Sequence, residues 1–115
     1  MDNVTPLPLP RATGTPQICF TRAELDRIMQ LYGRMVAAGL WRDYALTFGA
    51  KTASFAAFRR TAEHPEVRLV KDPALRSRQG EWVLHGEGGA VLKRGHELAN
   101  VLAVLERRLL RAVEA

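Results

Sequence analysis

Residues 76–82 read RSRQGEW, two arginines, a glutamine and a glycine just ahead of a tryptophan. A loop that grips phosphate has this composition, because guanidinium groups donate in pairs to oxyanions and glycine lets backbone N–H groups approach an anion. A solvated turn leading into a strand has it too, since loops collect polar residues for solubility as well as for binding. The turn is the favoured reading. Cys19 stands just before an expected helix N-terminus, where a thiol pKa can fall. Reactivity also needs a cationic neighbour and access, so Cys19 reads as a small, semi-buried residue. His64, His85 and His96 lack metal spacing, none having a second His or Cys within a turn. His85 is the one placed on an expected strand, where only the fold could bring it to Cys19 or a carboxylate. Gly86, Gly88 and Gly89 in HGEGGAVLKRG match neither a Walker loop nor a dinucleotide fingerprint and fit a hairpin turn instead. Glu24 and Asp26 fall in the first turns of an expected helix, where its dipole favours them, and Glu63 and Glu66 flank a turn. Neither pair has the setting of a general acid and base. The expectation is a non-enzymatic protein with no catalytic residue, no cofactor, no metal ligand and no evident small-molecule substrate.

The bulk numbers set the frame for these residues. A chain of 115 residues is long enough for one domain with a modest core. Its 47% hydrophobic and 25% charged content is that of an ordinary globular protein. No apolar run approaches the roughly 20 residues of a membrane span, and no charged start followed by an apolar stretch suggests a leader. The single cysteine excludes an internal disulfide and points to a reducing, cytoplasmic compartment. The net charge of +5 favours anionic partners, but arginine outnumbers lysine by fourteen to three, a skew that a GC-rich coding sequence produces by itself.

The elements follow from periodicity. Residues 1–17 carry four of the six prolines and no helical or strand period, so they read as a flexible tail ahead of a single domain over 18–115. Pro6, Pro8 and Pro10 would favour an extended, docking-type peptide within that tail. Thr21 with Glu24 forms a capping box, flanked by Phe20 and Leu25 as its hydrophobic staple. Leu25, Ile28, Met29, Tyr32, Met35 and Val36 then recur at helical spacing, and Gly39 stops the helix. YALTF (44–48), ASFAAFRR (53–60), VRLVK (67–71), WVLHG (82–86) and AVLKR (90–94) read as short strands with short links, so neighbours should pair antiparallel. A loop of two or three residues at Gly88-Gly89 would swap the faces of the last hairpin, leaving its register open. A closing helix presents Leu98, Val101, Leu102, Leu105, Leu109 and Ala112 on one face. The expected fold is therefore α+β: an antiparallel meander of about five short strands between an N-terminal and a C-terminal helix, both packed on one sheet face.

That arrangement leaves candidate surfaces. Alternation sends Thr47, Phe58, Arg60, Arg68, Val70, Val83 and His85 away from the helices, a mixture of apolar centres and cations suited to a protein interface. Ala99, Ala103 and Leu110 form a second, narrow stripe on the closing helix. With Phe58, Val70 and Val83 they are the candidate contact residues for a protein partner or homodimer. The alternative is a nucleic-acid surface built from Arg59, Arg60, Arg68, Arg76, Arg78, Lys93 and Arg94. An aromatic ribonucleoprotein motif is missing.

The succession LYGRMVAAGLWRDYAL, AAFRR, RSRQGEW and LKRGHEL resembles a family of small alphaproteobacterial proteins, the DUF2794 domain of unknown function, over roughly residues 20–112. The resemblance implies a bacterial, cytoplasmic protein. It implies no activity, cofactor, partner or site residue, so the residues have to speak for themselves.

Overall fold

Thr21 opens the first helix, α1 (Arg22–Ala37), by a complete capping box: its hydroxyl accepts the Glu24 N–H at 3.1 Å, and the Glu24 carboxylate accepts the Thr21 N–H at 2.8 Å. Two otherwise orphaned donors are thereby satisfied. Thr21→Ala is expected to cost about 1 kcal/mol in urea denaturation. At the other end Gly39, at φ +77°, turns the chain out of the helix, with the Gly39 and Leu40 N–H groups donating to the carbonyls of Val36 and Met35.

The computed structural model describes residues 16–60 and 64–114. Most of the expected N-terminal tail, including its proline peptide, lies outside the described residues, as does Glu63. After α1 come β1 (Asp43–Phe48), β2 (Ala53–Phe58), β3 (Val67–Lys71), β4 (Trp82–His85) and β5 (Val91–Gly95), then α2 (Leu98–Glu114). The strands form one antiparallel sheet in the order β1-β2-β3-β4-β5, each beside its predecessor in the chain. The expected α+β meander, with its two flanking helices, is what the chain adopts.

Strand parity and helix period put the core on one side. Register aligns Leu46, Phe55, Leu69 and Leu84 across β1 to β4. Phe55, Leu69 and Leu84 are buried with Ile28, Leu31 and Met35 of α1 and with Val101, Leu102, Leu105 and Leu109 of α2. Tyr32 packs edge-on against Tyr44, with ring centroids 4.8 Å apart. Burial, then the charges of Asp43 and Tyr44, raise the Tyr32 phenol above its ordinary pKa.

Three details differ from the expectation. Leu31 is buried and Val36 is 41% exposed, because the buried line of α1 runs through Ile28, Leu31 and Met35 and Val36 falls beyond it. Ala112 is exposed at the end of α2. β2 ends at Phe58, so Arg59 and Arg60 lie past the strand rather than on its outward face. In the last hairpin a bulge at Leu84/His85 pairs His85 with Val91 and Leu84 with Lys93, which settles the open register.

Candidate functional site

The face of the sheet turned away from the helices follows from the same register. Two rows cross it: Thr47, Ser54, Val70, Val83 and Arg94 in one, and Ala45, Ala56, Arg68, His85 and Val91 in the other. Asp43 and Phe58 form a third, short row at the β1–β2 end. Phe55 and Phe58 have opposite parity and no bulge separates them, so Phe55 enters the core and Phe58 stands, half-buried, on the open side. No helix or strand among the described residues packs over this face. Its centre is made of small and apolar side chains, of which Val70 is half-buried while Ser54, Ala56 and Val83 are buried at 8%, 3% and 7% exposure, and Arg68, His85, Arg94, Thr47 and Asp43 stand around them. The three contact residues proposed on strands, Phe58, Val70 and Val83, therefore share one surface.

The other three sit elsewhere. Ala99 and Ala103 are half-buried on the flank of α2 where Glu106, further along, reaches Arg34 of α1 at 3.4 Å. Leu110, 57% exposed, continues that flank towards the helix end.

The basic residues fall into two groups at opposite ends of the strands. Arg59, Arg60 and Arg68 lie where β2 ends and β3 begins; Arg76, Arg78, Lys93 and Arg94 lie where β3 ends and β5 finishes. Arg59 is engaged with carboxylates, its Nε 3.8 Å from Glu66 and its Nη2 3.8 Å from Glu87. Glu66 in turn accepts the indole N–H of buried Trp41 at 2.6 Å. Arg76 forks onto Glu81 with both contacts at 3.0 Å, and that hydrogen bonding raises the guanidinium pKa further above its ordinary value. Lys93, opposite Leu84, belongs to the helix-side row and Arg94, opposite Val83, to the open one.

RSRQGEW is therefore a folded turn. A single 3-10 turn at Pro73–Leu75 leads into it, the Arg76 carbonyl accepts from His96 Nδ1 at 3.1 Å, and the Gly80 N–H donates to the Leu75 carbonyl at 2.9 Å. Gly80 is buried at φ +100°, against the backbone of Gly95.

Two features were missed in the sequence. Lys71, at the end of β3, is only 6% exposed, and its ammonium donates to Glu24 at 2.7 Å and to the Cys19 carbonyl at 3.1 Å. Its parity with Val67 and Leu69 was the available signal: it had to face the helices. The second is a cleft beside the β4–β5 turn, lined by residues from two separate stretches of chain, 64–68 and 85–89, for which no local pattern exists. Among the described residues no three His, Cys, Asp or Glu side chains gather as a metal site, and no helix is long and apolar enough to cross a membrane.

A family model with the description "Protein of unknown function (DUF2794)" matches residues 18–102. No curated protein and no solved structure gives a match.

Proposed function

We propose, for a chain that belongs to the DUF2794 family of unknown function, a non-enzymatic interaction or regulatory module whose contact surface is the sheet face opposite the helices. One observation carries this reading: both helices occupy the same side, and the other side has a centre of small and apolar residues, reached from solvent at half-buried Val70 and Phe58, inside a polar border. Protein interfaces have this anatomy, with an apolar middle that excludes water and a hydrated rim. Small side chains at the middle also let a partner approach the sheet closely. The partner is a protein, and a second copy of the chain is the form to test first. A bacterial cytoplasm is the setting we infer, in keeping with the single, unpaired Cys19.

Val70→Lys places a charge in the middle of the face without entering the core, since Val70 is only half-buried and lies opposite Ser54 and Val83. Light scattering on the eluting protein is expected to give more than one chain's mass for the wild type at high concentration and one chain's mass for the variant. A wild-type monomer would remove the homodimer form. Affinity capture with both proteins then decides the rest: the same retained proteins on wild type and Val70→Lys would overturn the surface assignment. Nucleic-acid binding has weaker support, because the seven basic residues divide between two ends and Arg59 and Arg76 are occupied by carboxylates. Nuclease treatment during capture separates that outcome, since a partner bridged by nucleic acid would be lost.

A further inference from the structure

The cleft beside the β4–β5 turn has a volume of about 580 Å³, within the range of roughly 300–1,000 Å³ that small-molecule sites occupy. Half-buried Pro65 gives it an apolar edge, Val67 lies beneath it in the core with 1% of its surface exposed, and the glycine-rich turn at 86–89 closes one side. Gly88 and Gly89 sit there at φ +75° and +88°, and no atom lies within 4 Å of where a Cβ would stand on either. No side chain therefore crowds the two glycines, while the Gly89 N–H donates to the Gly86 carbonyl at 3.1 Å.

We propose that this cleft binds a small molecule by its carboxylate group, with Arg68 as the anchoring cation and His85 beside it. Arg68 lines the cleft and makes no ion pair among the described residues, in contrast to Arg59 and Arg76. An unopposed guanidinium at the rim of an apolar recess is the donor a carboxylate matches, through two parallel N–H···O bonds. His85 is the direct cross-strand neighbour of Arg68. Its Nδ1 lies 3.1 Å from the Gly89 carbonyl, and a carbonyl only accepts, so Nδ1 carries a proton and the ring is held in place. In the neutral ring Nε2 is then an acceptor, so it serves a hydroxyl, a water or another donor of the ligand, and the carboxylate itself is left to Arg68. His64 adds a second imidazole to the lining. Glu87 decides between anions. Its carboxylate lines the same cleft and is only partly offset by Arg59 at 3.8 Å, so a phosphate dianion meets more repulsion than a carboxylate.

The test is an NMR titration of the full-length, 15N-labelled chain with benzoate and, separately, with inorganic phosphate at fixed pH and ionic strength. Benzoate is expected to produce saturable shifts confined to residues 64–68 and 85–91, at lower concentration than phosphate. Arg68→Gln is expected to weaken benzoate binding about tenfold or more, the effect of losing a charge-assisted pair. Arg78→Gln, an exposed arginine outside the cleft, is expected to leave it unchanged. Tighter binding of phosphate, shifts that never saturate, or equal affinity in Arg68→Gln would each overturn the proposal. Val70→Lys separates it from the partner reading, because that variant is expected to lose protein contact and keep benzoate binding.

Discussion

Gly80→Ala is expected to destabilise the protein by about 3–5 kcal/mol, a combination of backbone strain at positive φ and a clash with rigid neighbours. The strain arises because Gly80 stands at φ +100°, a conformation that a side chain disfavours. The clash is with backbone: a Cβ there would lie 2.4 Å from the carbonyl carbon of Gly95 and 2.5 Å from its oxygen. Neither partner has room to retreat. Gly95 pairs with Trp82 in the sheet, and the Val101 side chain of α2 stands 3.8 Å from the position of its own absent Cβ. Gly80 is tied to Leu75 by a 2.9 Å hydrogen bond. Urea denaturation followed by tryptophan fluorescence measures the loss, with Gly33→Ala as the control. Gly33 lies inside α1 with nothing within 4 Å of a new Cβ, so that change is expected to be neutral or to stabilise by about 0.5–1 kcal/mol. A loss at Gly80 below about 1 kcal/mol would mean that the loop and β5 are not locked together as described.

Lys71→Met is expected to cost about 2–4 kcal/mol. Breaking a fully buried pair by removing one partner costs roughly 3–5 kcal/mol, and the residual water access of Glu24, whose side chain is 23% exposed, reduces that figure. Methionine fills much of the space of the lysine stem, so the loss reports the charge more than packing. Three contacts go at once: the 2.7 Å ion pair, the 3.1 Å donation to the Cys19 carbonyl, and the placement of the ammonium 5.8 Å from the centre of the Trp82 ring. Glu24 keeps its bond to the Thr21 N–H, so α1 should retain its start while the anchor between that start and the sheet is lost. The second half of the experiment is Glu24→Gln in the Lys71→Met background. With the ammonium already gone, neutralising the carboxylate should cost little or recover stability. A double-mutant cycle with no coupling would show that the pair contributes nothing as a pair.

These two sites mark where sequence reading stopped. Thr21, Glu24 and Gly39 announce the ends of α1 by local chemistry, and the alternation of Tyr44, Leu46 and Phe48 announces a face, so elements and meander were legible. Val36 and Leu31 were exchanged because a helical repeat of six apolar residues defines a broad stripe, and only the sheet beneath selects which line of it is buried. The contact of Gly80 with Gly95 joins residues that no window shows together, and glycine leaves no side chain to announce a close approach. Phe58, Val70 and Val83 were brought to one surface by parity alone. The division of the arginines was beyond reach, because it depends on which strand ends lie together.

The sheet's strand order has a further consequence. Because each strand lies beside its predecessor, every hairpin can form as soon as it is synthesised, and such near-neighbour pairing favours rapid folding. The two helices impose the opposite demand. Arg34 meets Glu106 across 72 residues of chain, and Leu105 and Leu109 of α2 are buried in the same cluster as Ile28 and Met35. The first helix to leave the ribosome therefore waits for the last. Until α2 emerges, the nascent meander has its hydrophobic flank half roofed, and this is the interval in which a chaperone or a misplaced second chain would find it.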